Sequence, residues 1–285
     1  MGSPVDQLVD LLDLERIEVN IFRGRSPESP LQRVFGGQVA GQALVAAGRT
    51  VEPDRPVHSL HSYFLRPGIP GVPIVYQVER VRDGRSFSTR RVVAVQNGRI
   101  IFNLTASYHV GEEGAEQQAA MPDVPDPDSL RSLVDVLESE LPVPPPNIDR
   151  RFPFDIRYTE PLRWTAEEVA AAEPRSAVWM RTQGALGDDP LLHVCALTYA
   201  SDLTLLDAVR VTLEPLWGPR GYDMASLDHA VWFHRPFRAD DWLLYQQESP
   251  SSSGGRGLAQ GRFYDRSGRL VASVVQEGLF RPLKR

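Results

Sequence analysis

One run of residues recurs at a fixed offset in this 285-residue chain, and a duplication of that kind leaves few architectures open. The first occurrence reads His58-Ser59-Leu60-His61-Ser62-Tyr63-Phe64-Leu65-Arg66-Pro67 and runs on to Asn97-Gly98-Arg99-Ile100-Ile101-Phe102. The second reads Ser226-Leu227-Asp228-His229-Ala230-Val231-Trp232-Phe233-His234-Arg235-Pro236 and runs on to Ser267-Gly268-Arg269-Leu270-Val271-Ala272. Pro67 and Gly98 are 31 positions apart, Pro236 and Gly268 are 32. Matched anchors at matched spacing argue for two copies of one fold unit, and the length suits about two domains. A duplicated unit can keep one copy as scaffold and specialise the other.

Bulk properties narrow the function classes. Hydrophobic residues make up 42% and charged residues 24% of the chain, so each half can build its own core. The net charge is -6 and the arginines are scattered, so no nucleic-acid surface is expected. The single cysteine, Cys195, has no partner for a disulfide and lies in an apolar run, where it reads as a small buried hydrophobe. No apolar run reaches the ~18 residues that span a bilayer. The N-terminus lacks the layout of a signal peptide, and Pro282-Leu283-Lys284-Arg285 is no peroxisomal address. The cytoplasm is the expected compartment. Six scattered histidines show no ligand spacing, so neither a metal nor a cofactor is expected. The signatures of a nucleophilic serine elbow and of a phosphate-binding loop are both missing.

The pattern along the chain predicts an α+β protein in which each copy is an antiparallel sheet wrapped around a central helix. In the first copy a short amphipathic helix over 5–14 precedes a strand over 14–22. An Ala/Leu/Val-rich stretch from Phe35 to Ala47 suits a helix buried on most faces. Strands follow over 59–65, 74–82, 86–96 and 99–109, with type I′ hairpin turns expected at Asp83-Gly84 and Asn97-Gly98. Proline clusters bracket a short helix over 130–137, so residues 116–150 read as a linker between modules at 1–115 and 151–285. The second copy offers strands over 156–158, 177–182, 226–233, 242–248, 257–264 and 270–280. Its central helix is expected to begin near Asp202, and 249–255 to form a flexible loop. The 270–280 strand is apolar on both faces, as in a strand covered on both sides, by the other module or by a second chain.

Three polar residues stand out in the second copy. An aspartate at a helix start is commonly an N-cap, and Ser226 alone would be an edge serine. Gln276 is harder to dismiss, because it shares a strand face with Leu270, Ala272 and Val274, and an amide there costs free energy unless bonded. The first copy has Ala106 at the corresponding place, and Gly36-Gly37 at the helix start assigned to Ser201-Asp202 in the second. Polar groups concentrated in one copy favour function over capping. Asp228-His229 looks like a catalytic pair, but strand neighbours point to opposite faces and cannot serve one atom. His234, at the strand end, reads as structural or solvent-facing.

Taken together, these segments resemble the acyl-CoA thioesterase II family, hydrolases with two tandem hot-dog modules in one chain. The resemblance is carried by Val34-Phe35-Gly36-Gly37-Gln38-Val39-Ala40-Gly41-Gln42-Ala43, the two repeats, Ala200-Ser201-Asp202-Leu203 and Val271-Ala272-Ser273-Val274-Val275-Gln276-Glu277-Gly278. It covers nearly the whole chain except the linker. It implies a catalytic Asp, Thr or Ser, and Gln holding one water, which fall on Asp202, Ser226 and Gln276. The usual second member is Thr; Ser226 keeps the hydroxyl and loses the β-methyl that stiffens χ1. The implied reaction is hydrolysis of a fatty acyl-CoA without a covalent intermediate. Asp202 would be the general base, and backbone N–H groups at a helix start would face the oxyanion. The implied partners are the acyl-CoA and, in a homo-oligomer, further copies of the chain. Two alternatives stay open: a non-catalytic acyl-CoA binding protein and a hot-dog enoyl-CoA hydratase.

Overall fold

The computed structural model describes residues 2–29, 32–143, 145, 148, 150, 152–217 and 221–283. Parts of the 142–146 proline run and the final Lys284-Arg285 lie outside them. The first half holds α1 (Pro4–Leu12), β1 (Glu15–Glu18), β2 (Ile21–Gly24), α2 (Gly36–Gly48), β3 (Val57–Phe64), β4 (Ile74–Asp83), β5 (Phe87–Gln96) and β6 (Arg99–His109). A 3-10 turn (Pro127–Ser129) and α3 (Leu133–Glu140) follow. The second half holds β7 (Phe154–Tyr158), α4 (Ala166–Ala170), β8 (Arg175–Thr182), α5 (Pro190–Thr204), α6 (Asp207–Arg210), β9 (Tyr222–Ser226), β10 (Asp228–Phe233), β11 (Leu243–Ser253), β12 (Arg256–Asp265) and β13 (Leu270–Pro282).

The strands form one antiparallel sheet in the order β1-β2-β4-β5-β6-β3-β10-β13-β12-β11-β8-β7, with β9 paired to β13. The two repeats meet at its centre, where β3 pairs with β10 and Leu60 lies opposite Val231. Each half of the sheet curls around one helix, α2 in the first and α5 in the second, as expected of tandem hot-dog modules. The helices run antiparallel against each other, because glycines let their backbones approach. A Cβ on Gly37 would strike the Tyr199 carbonyl, and one on Gly41 would sit 3.2 Å from that of Cys195. The buried core is continuous across both halves. Contrary to the sequence expectation, residues 190–210 are together apolar and long enough to cross a membrane by composition, but they are α5 and α6 of the second half, most of that stretch buried inside the protein.

Several boundaries differ from the sequence expectation. The 14–22 strand is a hairpin, β1 and β2, turning at Val19-Asn20. Asn97 and Gly98 take positive φ (48° and 72°), but Asp83-Gly84 forms no type I′ turn. Asp83 instead ends β4 opposite Ser88, and its carboxylate takes a bond from the buried Arg90 guanidinium (2.7 Å). The serine run 249–253 is no flexible loop: it extends β11, and the hairpin turns at Gly254-Gly255 (φ 57° and 74°). The strand expected over 226–233 is two strands, β9 and β10, broken at Leu227.

The segment between the halves is a strap rather than a free tether. Met121, Val124 and Leu130 pack on Trp179, Trp242, Leu244 and Tyr264, a separate apolar cluster in the second half. The Trp179 indole N–H donates to the Pro125 carbonyl (2.9 Å), and Gln118 bonds both Gly268 and Leu270. Leu270 is therefore covered by this strap within the same chain.

Candidate functional site

Asp202 lies in the last turn of α5, not at its start. The helix begins twelve residues earlier, because Asp189 is its N-cap and Pro190 its first residue, the pairing a helix start favours. Asp202 is therefore no N-cap, and the correspondence drawn between Gly36-Gly37 and Ser201-Asp202 does not hold. What the antiparallel packing does is bring the start of α2 to the end of α5. A Cβ on Gly36 would lie 2.6 Å from Asp202 Oδ2, and the Gly37 N–H bonds the carboxylate. The cap position of α2 is Phe35, which supplies no side-chain hydrogen bond, so the first N–H groups of α2 face the site rather than a cap. Glycine is required here by space, not by φ.

The structure brings Asp202, Ser226 and Gln276 together. Ser226 Oγ donates to Asp202 Oδ1 (3.0 Å). Gln276 Nε2 donates to Asp202 Oδ1 (2.6 Å) and to Ser226 Oγ (2.7 Å). The local sequence explains each placement. Ser226 ends β9 opposite Gly278 of β13, where the break at Leu227 turns the chain into β10. Gln276 sits on the inward face of β13 with Ala272 and Val274, all fully or almost fully buried. Burial raises the pKa of Asp202, opposed by His229, by the Gln276 and Ser226 hydrogen bonds, and by the Gly37 N–H. A carboxylate so placed is a stronger base than one in water, with one oxygen held by two side-chain donors.

Sequence reasoning missed His229. Strand parity holds, since Asp228 turns away and accepts the Glu277 N–H (2.7 Å). His229 itself points inward, is completely buried, and its Nδ1 lies 3.1 Å from Gln276 Oε1. The other ring nitrogen, Nε2, lies 2.7 Å from Ser201 Oγ. The signal was available in the repeat: aligned on the Arg-Pro anchors His229 falls on Leu60, and aligned on the Gly98 and Gly268 anchors Gln276 falls on Ala106. His234 is exposed and bonds Ser273 (2.8 Å), in keeping with its structural reading. Cys195 is fully buried, and burial pushes its thiol far up. Among the described residues no group of three or more His, Cys, Asp or Glu is placed to hold a metal.

A cavity of about 820 Å³ flanks this cluster, lined by Val34 and Phe35 before α2, Tyr199 and Leu203 of α5, and Leu216 and Trp217. Tyr199 and Leu203 lie within one turn of Asp202 on α5, so the cavity wall and the carboxylate share that helix, although Asp202, Ser226 and Gln276 do not themselves line the cavity. A cleft of about 890 Å³ beside α3 is slightly larger but lies away from Asp202. Its four arginines all face carboxylates: Arg150 pairs with Asp135 and Glu138, Arg157 and Arg181 share Asp155, and Arg238 pairs with Asp188 and Asp240. The smaller cavity is the one lined by neighbours of the polar cluster, Phe35, Tyr199 and Leu203.

The fold and this cluster define a double hot-dog protein with a carboxylate, a hydroxyl and an amide gathered near a cavity whose wall is apolar at Phe35, Tyr199 and Leu203 and charged at Arg33, Asp207 and Arg210. Residues 148–279 match the acyl-CoA thioesterase family and residues 25–109 the acyl-CoA thioesterase N-terminal domain. The chain is 40% identical to human acyl-coenzyme A thioesterase 8 over 95% of its own length and 88% of that protein's. It is 47% identical to an acyl-CoA thioesterase II, TesB2, of Mycobacterium marinum, covering 96% of this chain and 98% of that one at a TM-score of 0.80. A protein of unknown function with a hot-dog fold from Alicyclobacillus acidocaldarius, 21% identical, shares the fold over 98% of this chain and 99% of that one at a TM-score of 0.77. The chain belongs to the acyl-CoA thioesterase II family.

Proposed function

We propose that this protein hydrolyses fatty acyl-CoA thioesters to free acid and CoA, using a water activated by Asp202 and oriented by Ser226 and Gln276. The observation that carries the reading is the convergence of the three side chains on one point at 2.6–3.0 Å. Asp202 is the general base: its carboxylate takes a proton from the water as the oxygen attacks the thioester carbonyl. Ser226 and Gln276 fix the nucleophile's position, which converts a bimolecular encounter into an oriented attack. The developing oxyanion is met by the N–H groups at the start of α2 other than that of Gly37, which Asp202 takes, and the helix dipole adds to the hydrogen bonds. Collapse of the tetrahedral intermediate expels the CoA thiolate, and no acyl-enzyme forms. The acyl chain occupies the cavity of about 820 Å³, a size within the usual range of ligand pockets.

In this reading residues 1–115 and 151–285 are the two modules and 116–150 joins them. The first module contributes backbone at Gly36 and Gly37, the second the three side chains. The reading also places the enzyme in the cytoplasm as a homo-oligomer. Thiol release from acyl-CoAs of graded chain length tests it: turnover is expected for long chains, which fill the cavity. Tight acyl-CoA binding without thiol release would make the protein a carrier instead.

A further inference from the structure

In the first repeat Leu60 and Ala106 face each other across β3 and β6, both fully buried and both apolar. The matching positions of the second repeat, His229 on β10 and Gln276 on β13, are also fully buried, but both are polar and hydrogen-bonded to each other. Burying two polar side chains where two hydrocarbons suffice costs free energy unless every group is paired. Here every group is paired, and the pairing on the Gln276 side fixes where the His229 proton lies. Both hydrogens of the Gln276 amide are committed, one to Asp202 and one to Ser226. Its Oε1 must therefore face the imidazole, and Nδ1 must carry the proton that it accepts. Burial holds the ring neutral by lowering its pKa, so Nε2 carries the free lone pair, and the one Ser201 hydroxyl proton has two acceptors within reach, Nε2 at 2.7 Å and the Thr198 carbonyl at 3.0 Å. Ser201 precedes Asp202 on α5, and Ser62 of β3 anchors the His229 carbonyl (2.7 Å). The chain of bonds thus leaves α5 at Ser201, crosses β10 and β13, and returns to α5 at Asp202.

We infer that His229 is a positioning residue: its Nδ1–H locks the Gln276 amide with both N–H bonds turned toward Asp202 and Ser226. The ionised Asp202 carboxylate already favours that orientation, but a base loses its charge when it takes the proton. At that moment a primary amide, whose oxygen and nitrogen are nearly the same size, is free to flip and present an acceptor to the reacting water. The His229 bond on the far side keeps its direction throughout the cycle. This inference rests on the proposed roles of Asp202, Ser226 and Gln276.

The test compares His229→Leu, His229→Asn and His229→Gln in the full chain, alone and with Gln276→Ala. An asparagine amide N–H reaches about where Nδ1 lies, whereas a glutamine reaches toward the Nε2 side. H229L is expected to lose on the order of 10²-fold in kcat, with KM changed less than about twofold. H229N is expected to recover most of kcat, and H229Q, which restores only the Ser201 bond, to stay low. H229L combined with Q276A is expected to turn over no more slowly than Q276A alone. Wild-type kcat in H229L, equal loss in H229N and H229Q, or full additivity with Q276A would each overturn the inference; where H229L does not fold, the contrast between H229N and H229Q decides. A Q276A enzyme as fast as wild type would show instead that the underlying reading of Gln276 is wrong.

Discussion

At the scale of single residues, the account turns on one carboxylate. Burial raises the pKa of Asp202, and only the ionised form can take a proton from water. The rate should therefore fall as pH is lowered through that pKa, with the acid limb of kcat/KM displaced above the ~3.9 of a free aspartate. A rate that stays flat down to about pH 4 would contradict the assignment. Gln276 was legible in the sequence because an amide on an apolar strand face has no cheap explanation, and Ala106 in the other repeat showed that none was needed for folding. Asp202 and Ser226 are legible in part through the family resemblance, and Asp202 lies at the end of α5 rather than at the helix start that the sequence predicts. The apolar run over 191–211 has no internal punctuation, so only Asp189-Pro190 marks where the helix starts. Strand parity separates His229 from Asp228 but does not reveal Gln276 on the neighbouring strand, and that partner is what gives His229 its place in the site.

At the scale of elements, helix α6 carries a second, half-buried carboxylate with a measurable consequence. Burial pushes the Asp207 carboxyl up to about 6, against the opposing effects of the Tyr158 hydroxyl (2.7 Å) and Arg210. Its folded pKa then lies above its unfolded one, so the folded state holds more protons between about pH 4 and 6, and stability falls as pH rises through that window. Asp207→Asn keeps an acceptor for Tyr158 and removes the charge. It is expected to stabilise the protein by at most about 3 kcal/mol at pH 8 and by little at pH 4, checked by denaturant unfolding at both values. Equal shifts at the two pH values would rule this out. The elements themselves were largely readable: α2, β3 to β6 and β10 to β13 follow the alternating or all-apolar patterns closely. What failed were turns. Asp83 was spent on the buried Arg90 rather than on a hairpin, and the 249–253 serines pair as strand because β12 offers them a ladder as far as Arg256. Such long-range partners leave no trace in a local window.

At the scale of the molecule, the two repeats are not separable units. They share one sheet through β3 and β10, one core through α2 and α5, and the candidate site takes backbone from one and side chains from the other. Thermal unfolding should accordingly give a single calorimetric transition with agreeing calorimetric and van't Hoff enthalpies, although chains above ~150 residues often unfold in steps. Two resolved transitions would mean that the halves are stable apart. The duplication was visible in the sequence, but the close contact between Gly36-Gly37 and Asp202 was not, because it depends on how two helices cross.

The most direct test of the central claim is turnover by Asp202→Asn, with acyl-CoA binding and unfolding measured on the same sample. The account predicts a loss of about 10²–10⁴-fold in kcat, the usual worth of a general base, while binding and melting temperature stay near wild type. A variant that hydrolyses acyl-CoA at the wild-type rate would contradict it.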